Sequence, residues 1–192
     1  MSWVPGSPVR IETARYRLQS LEPGHIGPDY VRWWSDPKVM AQLPSPLVKH
    51  NLEQHRARIA MKFNNRNSFH LGIYDKTDNQ LVGFFTILYK PFHGIATINT
   101  VIGDKDAWGK GVFNETGIRL QDFMFGVLGA AKIECEVSAR NFSTVYNLKA
   151  QGFAAEGSLR KHWAGPDGKR VDVIPFGILR EEWLARKGGE TS

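Results

Sequence analysis

With one cysteine, Cys135, in 192 residues, the chain cannot close an intramolecular disulfide. That excludes a secreted disulfide scaffold and makes a reducing compartment the default. No run approaches the roughly 18 consecutive apolar residues of a membrane span. The opening stretch, MSWVPGSPVRIE, lacks the basic start and apolar segment of a signal peptide. A cytoplasmic protein with no membrane partner is the expectation. Histidine and cysteine never fall at metal-ligand spacing, so no metal is expected. Internal repeats, low-complexity tracts and linkers are absent too. One domain over residues 1–192 follows, with an ordered core of about residues 9–187 and loose tails at Met1–Pro8 and Gly188–Ser192.

The net charge of +6 favours anionic partners. Basic residues nonetheless form nothing longer than pairs such as Arg160-Lys161 or Lys169-Arg170, whereas nucleic-acid-binding tails come in denser runs. Charge and aromatic content alone carry a nucleic-acid-binding reading, and no nucleic-acid partner is expected. What is present is an ordinary globular composition, 42% apolar and 23% charged, enough for a substantial core.

The apolar pattern predicts a first strand over Val9–Leu21, a turn at Glu22-Pro23-Gly24, and a short helix over Asp29–Ser35 ending near Asp36-Pro37. Asn51 is a candidate N-cap for a second helix with Ile59, Ala60 and Phe63 on one face. Phe69–Tyr74 and Leu81–Tyr89 read as antiparallel strands around a polar turn, and Ile95–Ile102 as the next strand. Leu120, Phe123, Met124, Val127 and Leu128 follow the helical i, i+3, i+4 rule. Ile133–Val137 reads as a strand, Ser143–Gln151 as a helix, and Gly152-Phe153 as the start of another strand. Two strands then flank a turn at Gly165-Pro166-Asp167-Gly168, before a short charged segment. This order predicts a mixed α+β sheet, not a doubly wound parallel one.

The segment richest in chemistry is Trp108-Gly109-Lys110-Gly111, between a strand and a helix. Glycine lets backbone amides approach a ligand, and a helix start adds unpaired N–H groups and partial positive charge. Together they suit a pyrophosphate, with Lys110 as a nearby cation, although two glycines can also form no more than a tight turn. The pattern is neither a Walker loop nor a dinucleotide fingerprint, since no Lys-Ser/Thr follows and Asn114 stands where a third glycine belongs.

Four segments in order, ETARYRLQSL with WWSDPKVM, VIGDKDAWGKGVFNE, ARNFSTVYNLKAQGF, and EGSLRKHW with DVIPFGILREEW, make the chain resemble the GNAT acetyltransferase superfamily. The likeness runs from Thr13 to Trp183, and within the superfamily it is to the branch related to ribosomal-protein alanine N-acetyltransferases (RimJ/RimL-like). The resemblance implies an α+β fold whose mostly antiparallel sheet, flanked by helices, is splayed between its fourth and fifth strands. It also implies acetyl-CoA as co-substrate. Thr100, Val101 and Ile102 then pair with the pantetheine arm. The amides of Trp108, Gly109, Lys110, Gly111, Val112 and Phe113 seat the pyrophosphate. Asn141 matches the family asparagine near the pantetheine, and Thr144 falls where this branch often places a serine near the sulfur. The chain departs from the family at Asp106, where glutamine or arginine is usual, and at Phe113, where a small residue is. It departs again at Leu148, where many relatives have a tyrosine; Tyr146 is out of register for that tyrosine's acid role.

The implied reaction is direct attack of a primary amine on the thioester in a ternary complex. A backbone N–H near Val101 or Ile102 would stabilise the oxyanion, with Thr144 at the leaving thiolate. Neutralising a lysine-like amine at pH 7 costs about 4.6 kcal/mol and an α-amine only about 1–1.4 kcal/mol. Only some acceptors therefore need a strong base. Glu134 and Glu136 share a strand face and serve either as that base or as solvated surface. His70 and His93 are proton-relay or merely turn and surface histidines. Cys135 reads as a buried hydrophobe or an acyl carrier, and Trp33-Trp34 as pocket lining or helix packing. The acceptor stays open among a nucleotide-linked amino sugar, a polyamine and a protein N-terminus, small molecule or peptide. A homodimer is left open as well. The competing class is a non-catalytic acyl-CoA sensor or interaction module.

Overall fold

The structure is a computed structural model that describes residues 3–41, 43, 47–165 and 168–189. Its strands are β1 (Arg10–Glu12), β2 (Tyr16–Ser20), β3 (Ser68–Asp75), β4 (Leu81–Lys90), β5 (Ile95–Ile102), β6 (Lys132–Ser138), β7 (Ala154–Ala155), β8 (Leu159–Ala164) and β9 (Arg170–Leu179). Its helices are α1 (Pro28–Ser35), α2 (Pro37–Met40), α3 (Leu52–Lys62), α4 (Val112–Gly126), α5 (Phe142–Ala150) and α6 (Arg180–Gly189). The strands form one sheet in the order β1-β2-β3-β4-β5-β6-β9-β7, with β8 also on β9. Every pairing is antiparallel except β5 with β6. This is the expected mixed, mostly antiparallel α+β sheet.

Adjacent residues on β4 serve opposite faces, as strand alternation requires. Phe85 joins the core under α4 and α5, with Phe69, Phe123, Met124, Ile133 and Phe176. Phe84 joins the second core under α1 and α3, with Tyr30, Trp33 and Ile59. Fully burying each such side chain contributes about 1.5–3 kcal/mol. Trp33 lies flat against Gly103, where any Cβ would run into its ring, and this contact seats α1 over the end of β5. The Trp33-Trp34 pair is therefore helix packing: Trp33 is buried and Trp34 stacks on Phe84 and His55.

Several expected elements differ. The first strand is two, because Thr13 forms a tight turn in which its hydroxyl oxygen accepts from the Tyr16 amide at 2.9 Å. Asp36 ends α1 and also caps α2, accepting from the Lys38 amide at 2.8 Å, with Pro37 in the first helical position. On α3 the Asn51 cap is present, but the buried positions are His55 and Ile59 while Ala60 is exposed. Helix α4 stops at Gly126, so Val127 and Leu128 reach the core from the following turn. Gly152-Phe153 precedes β7 and is not part of it. At the N-terminus, Trp3 packs against Phe69 and Phe123, so residues 3–8 are docked and not a loose tail. The charged C-terminal segment is α6, which runs through Gly189. Of the predicted turn after β8, Pro166 and Asp167 lie outside the described residues.

Candidate functional site

Because the first expected strand is two, the fourth and fifth strands of the expectation are β5 and β6. They pair over three rungs, Ile95 with Lys132, Ala96 with Ile133 and Thr97 with Glu134, and then part. β4 stays paired with β5 up to Ile102, so the opening lies entirely on the β6 side. A cavity of about 620 Å³ fills the wedge.

One end of the cavity is built by the loop after β5. Gly109 and Gly111 have φ of 73° and 74°, the left-handed region that favours glycine. Gly111 is the N-cap of α4 and offers no side chain to the helix, so the amides of the first turn point outward without a capping partner. The Trp108 indole N–H donates to the Ile102 carbonyl at 2.8 Å. Arg15 braces the loop from β2's turn, its Nη2 donating to the Lys110 carbonyl at 2.9 Å and its Nε to Glu115 at 2.7 Å. Glu115 also accepts from the Arg15 amide at 2.7 Å and the Thr13 hydroxyl at 2.6 Å. Burial opposes its ionisation, but these hydrogen bonds outweigh burial and hold its carboxyl below the usual range. Uncapped amides, two left-handed glycines and a positive helix end fit a diphosphate.

The cavity lining includes Thr100, Val101, Ile102, Trp108, Gly109, Gly111, Val112, Phe113, Asn141 and Thr144. Lys110 is exposed and not part of that lining. Ile102 has its carbonyl taken by Trp108, and the Gly103 amide bonds the Val82 carbonyl. By alternation Val101 turns its backbone groups to Phe84 of β4, and Thr100 turns its own to the wedge, where an extended ligand can meet them. Phe113 does not plug the turn; it stacks on Phe85 with ring centroids 6.1 Å apart. Asp106 is exposed and outside the lining. Asn141 caps α5, its side-chain oxygen accepting from the Thr144 amide at 3.1 Å. Thr144 is thereby fixed on the first turn of α5, at the wall of the cavity.

The acid–base candidates are sorted by the wedge. Glu134 sits at the last paired rung, where it accepts from the Thr97 hydroxyl at 2.8 Å and contacts Lys90 at 3.5 Å; it is structural. Glu136 lines the cavity. Cys135 also lines it, but burial first, then Glu134 and Glu136, push its thiol up to about 12, so it stays protonated. His70 is buried among Tyr30, Phe63 and Phe84, away from the cavity. Burial first, with Lys62 and Arg58 adding, pushes it down to about 3, so it is neutral and no relay. His93 is exposed in the β4–β5 turn and likewise away from the cavity. Arg15 and Glu115 escaped the sequence reading because they meet across about a hundred residues. Among the described residues no group of three or more His, Cys, Asp or Glu could hold a metal ion, and no helix is long and apolar enough to cross a membrane.

Residues 15–154 match the acetyltransferase (GNAT) domain family. The chain is 29% identical over 160 residues to an uncharacterised N-acetyltransferase, p20, of Bacillus licheniformis, covering 79% of this chain and 86% of that one. It shares its fold with the spermidine N-acetyltransferase of Vibrio cholerae, solved in complex with CoA and spermine, at TM-score 0.81 and 20% identity over 89% of this chain and 99% of that one. The same holds for the ribosomal-protein-S5-alanine acetyltransferase of Vibrio fischeri, at TM-score 0.75 and 20% identity over 91% and 98%.

Proposed function

Since the chain belongs to the acetyltransferase (GNAT) family, we propose that it is a single-domain N-acetyltransferase of the RimJ/RimL-like branch, moving an acetyl group from acetyl-CoA to a primary amine. The observation that carries this reading is the cavity where β5 leaves β6, with the uncapped start of α4 at one end. The amides of Gly109, Gly111, Val112 and Phe113 would hold the diphosphate, and the free edge of β5 at Thr100 would hold the pantetheine as an added strand.

Acetyl-CoA supplies an already activated acyl group, so the protein's task is chiefly to bring amine and carbonyl carbon together. A wedge-facing β5 amide, at Thr100 or Ile102, would stabilise the oxyanion. Thr144, fixed by the Asn141 cap, would donate to the departing sulfur. The branch assignment rests on the four sequence segments. The acceptor classes are an amino sugar linked to a nucleotide, a polyamine and a protein N-terminus.

The test is a thiol-release assay with acetyl-CoA against amino sugars, polyamines, amino acids and N-terminal peptides. Release with at least one class supports the reading. Tight coenzyme binding with no release across the panel would overturn it in favour of a non-catalytic acyl-CoA sensor.

A further inference from the structure

The cavity is lined from both faces of the sheet, and its mouth on the α2 side carries chemistry that the proposed coenzyme seat does not use. Above the last shared rung, Thr97 with Glu134, the next positions on the same face of each strand are Asn99 and Glu136, and both line the cavity. Cys135 and Val137 pack into the core under α4 and α5, so by alternation Glu136 turns to the opposite side, toward α1 and α2. Lys38 and Val39 of α2 also line the cavity.

The charges there are few. Among the described residues lining the cavity, the acids and bases are Lys38, Cys135 and Glu136, and Cys135 stays a thiol. Nearby carboxylates are engaged elsewhere, Glu134 by Thr97 and Lys90 and Asp36 by Lys105. Glu136 and Lys38 have no ion-pair partner among the described residues.

We infer that this mouth binds an acceptor carrying both a primary ammonium and an anionic oxygen group. Glu136 holds the ammonium and takes its proton, and Lys38 pairs with the anion. The inference rests on the acetyl-transfer reading. One free carboxylate and one free cation in the same cavity lining match a molecule with both charges. A linear polyamine would set several ammonium groups against a single carboxylate and the like charge of Lys38. In the reaction Glu136 removes one proton from the ammonium and later passes it to water. The amine nitrogen bonds to the acetyl carbon, the carbon–sulfur bond breaks, and the second nitrogen proton goes to the leaving sulfur.

Two sources supply such a molecule, an α-amino acid and an amino sugar phosphate. Thiol release would be measured for the wild type, Glu136→Gln and Lys38→Gln. The acceptors are an α-amino acid and its methyl ester, a hexosamine phosphate and the free hexosamine, and spermidine. In one pair the anionic member should be the better acceptor, and that pair names the source. Lys38→Gln should raise KM for that anionic member about fivefold and leave its neutral counterpart unchanged. Glu136→Gln should lower kcat/KM for both members about 30-fold, with acetyl-CoA affinity unchanged as a check on folding. Wild-type rates in Glu136→Gln, a Lys38→Gln effect that ignores the anion, or a preference for spermidine would overturn the inference and leave acetyl transfer standing. No release by the wild type with any amine overturns both.

Discussion

The indole N–H of Trp108 donates to the carbonyl oxygen of Ile102 at 2.8 Å, so the loop that presents Gly109 and Gly111 is tied to the last residue of the strand that opens the sheet. The proposed coenzyme seat is thus tied to the wedge. Trp108→Phe keeps a ring and removes the donor. The net worth of one hydrogen bond is about 0.5–1.5 kcal/mol, so acetyl-CoA affinity by calorimetry should weaken about 2- to 10-fold. The melting temperature should fall by only about 2–4 °C, since Trp108 is half exposed. An unchanged affinity would mean the loop holds its shape without this tie.

Gly111 makes a second case. Its φ of 74° costs a side-chain-bearing residue about 1–2 kcal/mol, and the nearest protein atom to an added Cβ is an Arg15 nitrogen at 3.5 Å. Room within the protein is adequate; the backbone conformation is the obstacle. Gly111→Val should weaken acetyl-CoA about tenfold or more by twisting the first amides of α4 away, and Gly111→Asn, which tolerates this region better, should weaken it less. Equal calorimetric affinities for both variants would remove backbone shape as the cause.

Thr144 and Asn141 separate position from chemistry. Thr144→Ala leaves the Thr144 amide on the Asn141 cap intact, so coenzyme affinity should hold while turnover falls about tenfold. Thr144→Ser should restore most of the rate. Parallel losses in affinity and turnover would contradict a role at the leaving sulfur.

His70 predicts an acid-labile fold. Its pKa falls from 6.5 to about 3 on folding, burial being the main cause, so the unfolded chain takes up the proton first. The stabilisation it gives is complete above pH 6.5 and is lost as pH falls from there toward 3. At pH 5 the loss is about 2 kcal/mol. His70→Phe should flatten the dependence of the urea midpoint on pH between 7 and 5. It should not destabilise at pH 7, because both ring nitrogens are buried without partners. Some slope will remain from His55, also lowered by burial, with His50 and Arg58 adding. An unaltered slope in the variant would clear His70.

Local patterns were legible where the cause is local. Ile95–Ile102 was read to the residue, and Leu120, Phe123 and Met124 marked α4 because helical spacing needs no distant partner. The split of the first strand was not legible, since the Thr13 turn is completed by Glu115 from α4. Asp36-Pro37 read as a stop, yet the same pair also starts α2, because a carboxylate that caps and a proline at the first position serve both ends. Glu134 and Glu136 looked equivalent on one strand face. Only the last rung between β5 and β6 tells them apart, leaving one in the sheet and the other in the cavity. The family segments pointed to residues most of which line the cavity, but the Asn141 cap and the Trp108 tie are set by three-dimensional geometry.

The most direct test of the coenzyme seat is a backbone amide NMR titration of the protein with CoA. The amides of Gly109, Gly111, Val112 and Phe113 should shift together with those of Thr100 and Ile102, saturating at one common affinity. Saturation with those signals unmoved, and shifts elsewhere on the sheet, would contradict the wedge as the place where the coenzyme lies.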